Sequence, residues 1–320
     1  MKHLFILLAI VLCLAACGPK PENTLSTTFY HWQTTLAPDS TARSLLVQHG
    51  CEELFVKAFD VSLSGGRVAT NARIELADTA GLPPLVPVVF ITNEVFRQEA
   101  QAPDELAGDI LELAESLLPA GFSELQIDCD WTAQTQVPYF DFLSAVKSLR
   151  PDLSLSCTVR LHQYRDREQQ GVPPVLRATL MAYNTGDLND WATENSILDS
   201  NIVKAYLAGQ PAYPIDLDLA VAVYDWAAVY RRGELAYLIN EPSLPDLADT
   251  ARFEALPDLR YRVRRSTYLD GIYLYEDDLL RRELVPPVTM DAQRALLQRY
   301  VPGFPGQRLM VFRLGSRLWE

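Results

Sequence analysis

The stretch from Glu124 to Trp131 separates its side chains by chemistry at every second residue. Its apolar members are Leu125, Ile127, Cys129 and Trp131, and its polar members between them are Gln126, Asp128 and Asp130. Because successive side chains of a strand point to opposite faces, this pattern predicts a strand with one apolar and one carboxylate face. Ordinary buried parallel strands are apolar on both faces. The carboxylate face must therefore line a polar cavity or find partners.

Other apolar or alternating segments along the chain are also predicted to be strands, mostly with helical segments between them. The predicted strands start near residues 27, 54, 86, 124, 153, 179, 218 and 271, and an appended strand covers 309–314. This order favours the α/β class and a single (β/α)8 TIM barrel with a short C-terminal extension. A doubly wound sheet is the alternative, but no glycine-rich phosphate turn follows the first strand.

The N-terminus has the pattern of an export signal: Lys2, an apolar run from Leu4 to Leu14, and then Ala-Ala-Cys17. The Leu-Ala-Ala-Cys sequence resembles the bacterial lipobox, which implies cleavage before Cys17 and acylation of its thiol. We expect a signal peptide over 1–16, a tether over 17–26 and the barrel domain over 27–320. Gly18 does not resemble the aspartate that retains lipoproteins at the inner membrane, so an outer-membrane location is expected. A plain secretory signal is the alternative.

The charge balance restricts the partners. The formal net charge is −13, which argues against nucleic acid and anionic lipid headgroups as ligands and leaves neutral or cationic polymers. Cys51, Cys129 and Cys157 remain after the signal and the lipidated cysteine, and their spacing is not that of a metal site. Cys129 and Cys157 fall on apolar strand faces and are expected to be buried free thiols. Nothing in the sequence calls for a metal or another cofactor.

In a (β/α)8 barrel, reactive groups gather at the C-terminal ends of the strands. The predicted strand ends carry His31, Trp32, Asp60, Glu94, Asp128, Asp130, Arg160, His162, Tyr183, Asn184, Tyr224, Asp225, Trp226 and Glu276. Acids and aromatic rings together are typical of a carbohydrate site, because sugar rings stack on flat apolar faces and carboxylates accept hydrogen bonds from hydroxyl groups.

Three of these strands resemble a known family. Residues 127–131, Ile-Asp-Cys-Asp-Trp, resemble the Asp-x-Asp-x-Glu strand of the family 18 glycoside hydrolases, the chitinase-like barrels. Met181-Ala-Tyr183 resembles the Met-x-Tyr strand of that family, and Tyr224-Asp-Trp226 resembles its aromatic subsite. The catalytic glutamate of the family corresponds here to Thr132, which cannot protonate a glycosidic oxygen. The chain is also similar to bacterial lipoproteins of an uncharacterised hydrolase-like barrel family.

The candidate catalytic residues are Asp130, Asp128 and Glu276. Asp130 is expected to act as nucleophile, base or electrostatic stabiliser, or else only to pair with Arg160. Asp128 is expected to be buried and held by Lys57, or by the Ser156 and Thr158 hydroxyls, and a Lys57–Asp128 contact is the specific prediction. Glu276, at the end of the eighth predicted strand, is the first choice for a proton donor. The expected substrate-binding residues are His31, Trp32, Glu94, Arg160, His162, Tyr183, Tyr224, Asp225 and Trp226.

Two functions remain open at this point. The first is an envelope-anchored glycoside hydrolase that uses Asp130 and a second carboxylate from another strand end. The second is a barrel without catalysis that binds a glycan or a protein partner. Thr132 favours the second function, and the retained acids at the strand ends favour the first.

Overall fold

The computed structural model describes residues 25–320. The expected signal peptide and Cys17 lie outside the described residues. In chain order, the first ten strands are β1 (Ser26–His31), β2 (Thr35–Leu36), β3 (Leu54–Ser64), β4 (Arg67–Asn71), β5 (Glu75–Leu76), β6 (Leu85–Ile91), β7 (Glu124–Asp128), β8 (Ser154–Arg160), β9 (Arg177–Met181) and β10 (Asp216–Ala222). The next seven are β11 (Tyr224–Arg231), β12 (Glu234–Asn240), β13 (Phe253–Leu256), β14 (Arg260–Val263), β15 (Thr267–Leu269), β16 (Ile272–Leu274) and β17 (Leu279–Val285). The last strand is β18 (Arg308–Phe312).

The helices lie mostly between the barrel strands. They are α1 (Ser40–Gln48), α2 (Asn93–Arg97), α3 (Pro103–Leu117), α4 (Gln136–Leu149), α5 (Leu161–Arg165), α6 (Arg167–Gln170), α7 (Ser200–Leu207), α8 (Leu244–Leu247) and α9 (Met290–Gln298), with 3-10 turns at Pro287–Thr289 and Arg317–Trp319. In the part of the chain that the structure describes, no helix has both the length and the apolar character needed to cross a bilayer.

Eight parallel strands close into a barrel in the order β1, β3, β6, β7, β8, β9, β10 and β18, and β18 pairs again with β1. The predicted (β/α)8 TIM barrel is therefore confirmed. The apolar faces of the strands point outward and pack against the helices in one large core. Helix α3 illustrates the packing, since it starts with Pro103 and buries Leu106 and Ile110 at helical spacing.

The assignment of the eighth barrel strand to residues 271–276 was wrong. Residues 272–274 form β16, which pairs only with β15 in a small hairpin. The segment 309–314, expected to be appended, contains most of β18, which closes the barrel between β10 and β1. An apolar strand of ordinary length looks the same in sequence whether it belongs to a hairpin or to a barrel.

An insertion between β10 and β18 was not predicted as a separate unit. Strands β11–β14 and β17 form an antiparallel sheet in the order β12, β11, β17, β14, β13. This sheet and the β15–β16 hairpin enclose a small apolar core of their own. The insertion follows the C-terminal end of β10, so it lies at the same end of the barrel as the expected site.

Candidate functional site

The inward face of β7 is polar, as its alternation predicts. Leu125, Ile127 and Cys129 are fully buried in the outer core, whereas Gln126 accepts a hydrogen bond from the Tyr30 hydroxyl at 2.6 Å across the barrel. Deeper in the barrel, Arg308 pairs with Glu124 and Asp218 at 2.8 and 2.7 Å. Nearer the C-terminal end, the Thr158 hydroxyl donates to Asp128 at 2.6 Å. The inward polar groups of this part of the barrel are therefore satisfied by hydrogen bonds and ion pairs, and they lie beside an inward apolar cluster that includes Phe55, Val88 and Met310.

Two adjoining cavities lie at the C-terminal end. The first, of about 260 Å³, is lined by Tyr30, Trp32, Lys57, Asp60, Phe90, Asp128, Thr158, Arg160, Met181, Tyr183, Asn184 and Phe312. The second, of about 440 Å³, is lined by Trp32, Gln33, Asn184, Tyr224, Asp225, Trp226, Asn240, Glu241, Phe312 and Arg313. Trp32, Asn184 and Phe312 belong to both. The two cavities therefore adjoin at these three residues, and together we call them the mouth cleft, which extends from the barrel opening onto the insertion.

Asp130 and Arg160 form a two-point ion pair beside the mouth cleft. The Arg160 Nε and Nη2 atoms donate to the two carboxylate oxygens of Asp130 at 2.5 and 3.0 Å. Burial alone would lower the pKa of Arg160, but the Asp130 carboxylate outweighs it and raises that pKa. Asp130 is about half exposed, with 47% of its side chain accessible. The expected pairing of these two residues is confirmed, and it holds the Asp130 carboxylate in one orientation.

Asp128 is a buried acid that lines the first cavity of the mouth cleft. Burial raises its pKa to about 6, and the charges of Asp130 and Asp60 add to that effect, while Arg160 and the Thr158 hydrogen bond oppose it. A carboxyl group with this pKa changes protonation state just below neutral pH. The expected support by the Thr158 hydroxyl is confirmed.

The predicted Lys57–Asp128 contact was wrong. The Lys57 ammonium group lies 3.0 Å from the Asp60 carboxylate instead. Residues three apart on a regular strand point to opposite faces, but the pairing of β3 with β6 shifts by one residue between Lys57 and Phe59. This bulge at Ala58 turns Lys57 and Asp60 to the same side of β3. Alternation alone does not reveal such an extra residue.

Thr132 occupies the position where the family 18 resemblance implies a glutamate. It is half buried, in the loop that follows β7. Its backbone N–H donates to the Thr135 hydroxyl at 2.9 Å, and that hydroxyl donates in turn to Asn93. A hydroxyl group stands where an acid would be needed, so this loop supplies no proton donor of the expected kind.

The aromatic residues of the mouth cleft divide into supports and contact surfaces. The Trp226 indole N–H donates to Glu283 at 3.0 Å and the ring is 9% exposed, so it mainly supports the wall. The Tyr224 hydroxyl donates to Asn184. Trp32 is half exposed and lies where the two cavities meet. The Tyr183 hydroxyl is buried and has no hydrogen-bond partner among the described residues.

Phe312 is a cleft residue that the sequence reasoning missed. Its ring stacks on Tyr183 with 5.4 Å between ring centroids and meets Trp32 at 5.6 Å. It ends β18, which was not recognised as a barrel strand. Correct placement of the eighth strand would have shown it as a strand-end aromatic residue.

Several expected binding residues lie outside the lining of the mouth cleft. His31 points outward, contacts the Thr35 carbonyl at 3.2 Å, and has its pKa lowered to about 4 by burial. His162 lies on α5, where burial lowers its pKa. Glu94 is exposed on α2 and pairs with Arg97 at 2.9 Å. His31 and Glu94 therefore make contacts within the protein and do not line the cavities, although they had been expected to do so.

Glu276 does not end a barrel strand. It follows the β15–β16 hairpin of the insertion, is exposed, and its backbone N–H donates to Ser266 at 3.0 Å. Its expected role as proton donor assumed apolar surroundings that would raise its pKa. The assumption of apolar surroundings was wrong, because the strand before Glu276 is β16 of the insertion and not a barrel strand. The buried acid nearby is Asp278, which accepts two hydrogen bonds from Arg231.

The remaining acids of the mouth cleft contact basic side chains. Asp225 is fully buried and accepts from Arg282 at 3.0 Å and also from Arg317. Glu241 lies 2.8 Å from Arg313. Among the described residues that line the mouth cleft, Asp128 is thus the acid without an ion-pair partner. Glycoside hydrolysis ordinarily needs two carboxyl groups on either side of the scissile bond.

Solved structures with similar folds are known. The spore cortex-lytic enzyme SleL of Bacillus cereus matches with a TM-score of 0.50 and 14% identity, over 92% of this chain and 72% of that one. This likeness shows a shared (β/α)8 barrel fold. A chitinase from Chromobacterium violaceum matches with a TM-score of 0.49 and 13% identity, over 92% and 97% of the two chains. A fungal endo-β-N-acetylglucosaminidase of glycosyl hydrolase family 18 matches at 0.42 and 11%, over 91% and 90%.

By sequence, no protein-family model and no curated protein matches the chain. Identities this low establish a common architecture and carry no activity to this chain.

Proposed function

We propose that the protein binds a carbohydrate chain in the mouth cleft and does not cleave it by the route of the family 18 enzymes. The observation that carries this proposal is that the two cavities adjoin at Trp32, Asn184 and Phe312. A cleft with aromatic rings and fixed polar groups fits a run of sugar rings. Thr132 in the acid position removes the proton donor of the usual mechanism.

The cleft favours a neutral or cationic glycan. Its two basic groups nearest the barrel axis, Lys57 and Arg160, are each neutralised by a carboxylate. Asp128 adds an unpaired acid at the same depth. An acidic polysaccharide would meet repulsion from this group and from a chain with a net charge of −13. Hydroxyl, amide or ammonium groups of a ligand can instead donate to it.

Hydrolysis by a different acid is the second candidate, and the state of Asp128 favours it. Its pKa of about 6 lies in the range of general acids that work near neutrality. In that case Asp128 would donate the proton, and the Asp130 carboxylate, oriented by Arg160, would stabilise positive charge on the sugar ring. The binding experiment described below separates the two candidates, because only hydrolysis would produce shortened oligosaccharides.

We further propose that the protein is anchored in the bacterial cell envelope through acylated Cys17, at the outer membrane where the cell has one. The support is the Leu-Ala-Ala-Cys sequence after an apolar run. Cys17 lies outside the described residues. A glycan-binding barrel on a lipid anchor would hold the envelope surface and a polysaccharide together.

The test is a binding screen of the soluble chain 25–320 against neutral, amino and acidic oligosaccharides, with mass spectrometry of the bound material. Binding that falls about tenfold or more in Trp32→Ala supports the proposal, since about 1.4 kcal/mol of ring stacking is lost. Tyr268→Ala is the matched control, because Tyr268 is an aromatic residue exposed on the insertion away from the cleft lining. Shortened oligosaccharides that disappear in Asp128→Asn would favour the hydrolytic candidate, and binding to none of the glycans would refute both.

A further inference from the structure

Glu283 is a buried acid of the insertion that accepts hydrogen bonds from β11, from β17 and from the loop between β9 and α7. It lies on β17 and is 2% exposed. Its Oε2 atom accepts from the Ser196 backbone N–H at 2.6 Å, from the Ser196 hydroxyl at 2.5 Å and from the Trp226 indole at 3.0 Å. Its Oε1 atom accepts from Arg281 Nε at 2.5 Å. These contacts satisfy a carboxylate that has been removed from water.

Arg281 extends the contact between the insertion and the same loop. It is fully buried, and its Nη1 atom donates to the Asp190 carbonyl at 2.6 Å. Asp190 and Ser196 both belong to residues 182–199, which join β9 to α7 and which we call the β9–α7 loop. The buried ion pair of the insertion therefore holds this loop at two points.

Within the β9–α7 loop, backbone contacts connect Ser196 to Asn184. The Gly186 N–H donates to the Ser196 carbonyl at 3.1 Å. The Asn184 N–H donates to the Ile197 carbonyl at 2.6 Å. The two arms of the loop approach so closely that a Cβ atom on Gly186 would lie 2.9 Å from the Ser196 Cα atom. Asn184 has a φ of 56°, a left-handed conformation that surrounding contacts must fix in a residue other than glycine.

Asn184 is the residue at which this network meets the mouth cleft. It lines both cavities, and its Oδ1 atom accepts a hydrogen bond from the Tyr224 hydroxyl. Tyr224 begins β11, so the insertion holds Asn184 through its side chain as well as through the loop backbone. With Oδ1 engaged, the amide of Asn184 offers its N–H donors to a ligand.

We propose that Glu283 is a positioning residue of the mouth cleft: it fixes Ser196, and through the β9–α7 loop it fixes the Asn184 amide where the two cavities adjoin. It also orients the Trp226 ring in the wall of the second cavity. A polar group that is ordered before the ligand arrives does not lose conformational entropy on binding, so affinity is higher. The effect on glycan affinity rests on the proposed function of the cleft, whereas the effect on the loop rests on these contacts alone.

Asp278 provides a matched comparison for Glu283. It is also a buried acid of the insertion, at 3% exposure, and accepts hydrogen bonds from Arg231 at 3.0 and 2.8 Å. Neither Asp278 nor Arg231 lines the mouth cleft, and among the described residues neither has a hydrogen bond to the β9–α7 loop. A change at Asp278 therefore weakens the insertion without acting on Asn184.

The first experiment measures the order of the loop by NMR on the isotope-labelled full chain. In Glu283→Gln an amide replaces the carboxylate, so one of the two oxygens no longer accepts. Hydrogen exchange of the Asn184 N–H should become about tenfold faster or more, as expected when a hydrogen bond to a charged group is lost. The indole N–H resonance of Trp226 should shift in the same variant. In Asp278→Asn, both signals should match those of the wild type.

A second variant disturbs the loop and leaves the buried ion pair in place. In Gly186→Ala the added Cβ atom meets the Ser196 backbone, so the two arms of the loop must separate. Exchange of the Asn184 N–H should again become faster, while the Trp226 resonance stays near its wild-type position. This variant keeps the test decisive if Glu283→Gln does not fold.

The second experiment measures affinity, and its probe is the oligosaccharide that binds most tightly in the binding screen. Its dissociation constant should rise about tenfold or more in Glu283→Gln and in Gly186→Ala, and should change less than about twofold in Asp278→Asn. These results, with the faster exchange at Asn184, would support the positioning role.

Unchanged exchange at Asn184 in both loop-directed variants would overturn the proposal. Equal effects in Asp278→Asn would also overturn it, because they would trace the order of the loop to the stability of the whole insertion. A disordered loop with unchanged glycan affinity would remove Glu283 from the binding site. If no oligosaccharide binds the wild type, the proposed function fails, and the exchange rates still decide whether Glu283 orders the loop.

Discussion

The Arg160 guanidinium donates to both carboxylate oxygens of Asp130, at 2.5 and 3.0 Å. This pair stands beside a cleft in which burial raises the pKa of Asp128 to about 6. Asp130 raises the pKa of Asp128 and Arg160 lowers it, so the two charges of the pair oppose each other at that position. The protonation of Asp128 is therefore governed mainly by burial.

Removal of the Asp130 charge should lower the pKa of Asp128. In Asp130→Asn, Arg160 keeps its positive charge without the compensating carboxylate, and the ionised form of Asp128 gains stability. Carboxyl NMR titration of the isotope-labelled protein is the measurement. Glu276→Gln, a change of the same kind at an exposed site on the insertion, should leave the titration of Asp128 unchanged. A pKa that rises or stays constant in Asp130→Asn would contradict the assignment.

The free energy of unfolding of the wild-type protein, compared with that of Asp128→Asn at the same pH, should fall as the pH rises from about 4 to 7. The folded state binds the Asp128 proton more tightly than the unfolded state, since the pKa is raised from 3.8 to about 6. Ionisation above pH 6 thus costs the folded wild-type protein roughly 3 kcal/mol that Asp128→Asn does not lose. Below pH 4 the two proteins should have similar free energies of unfolding.

Urea unfolding of both proteins across this pH range measures the difference. A buried partner cation such as Lys57 would reverse the result and make Asp128→Asn the less stable protein at pH 7. The observed Lys57–Asp60 pair makes that outcome unexpected.

The Lys57 side chain should be coupled energetically to Asp60 and not to Asp128. Lys57→Met leaves a partly exposed carboxylate without its cation and should cost about 1–3 kcal/mol, less than for a fully buried pair. A double-mutant cycle of Lys57→Met with Asp60→Asn should give a coupling free energy of about 1 kcal/mol. The matched cycle of Lys57→Met with Asp128→Asn should give a smaller value. The reverse order would place the Lys57 ammonium group beside Asp128.

The sequence predicted the features of the fold and the site that depend on neighbouring residues, and it missed those that depend on pairing between distant segments. The two-residue alternation of β7 and β8 is a local property, and it correctly turned Asp128 and Thr158 into the barrel. The bulge at Ala58 adds one residue without any distinctive sequence, so the partner of Lys57 was missed. The eighth strand was misplaced because the insertion contains β16, which resembles a barrel strand in composition. Long-range pairing decides between such segments.

The proposed lipid anchor can be tested by replacing the Cys17 thiol. In Cys17→Ser the thiol that would receive the acyl chain is replaced, and the protein should appear as an uncleaved or soluble precursor in cell fractionation. The wild-type chain should sediment with the membranes and partition into detergent. An unchanged distribution in Cys17→Ser would identify a plain secretory signal. Cys51→Ser, which leaves the N-terminal sequence intact, should fractionate as the wild type does.

Thr132→Glu should raise the hydrolytic activity of the barrel above that of the wild type. Thr132 is half buried in the loop after β7, and its backbone N–H donates to Thr135, a contact that a longer side chain at this position does not remove. A general acid at this position contributes about 10²–10⁴-fold to the rate. Any glycan found to bind should therefore be cleaved by Thr132→Glu at a rate at least about a hundredfold above that of the wild type.

Product formation at equal concentrations of folded protein is the measurement, and Thr132→Gln is the control because it has the size of glutamate without its proton. Cleavage by Thr132→Glu alone would mark the natural protein as a binding barrel. Equal cleavage by the wild type and both variants would show that the proton donor is a residue other than 132. Asp128 would then be the first residue to substitute. Binding without cleavage in all three proteins would show that the cleft holds the glycosidic bond out of reach of residue 132.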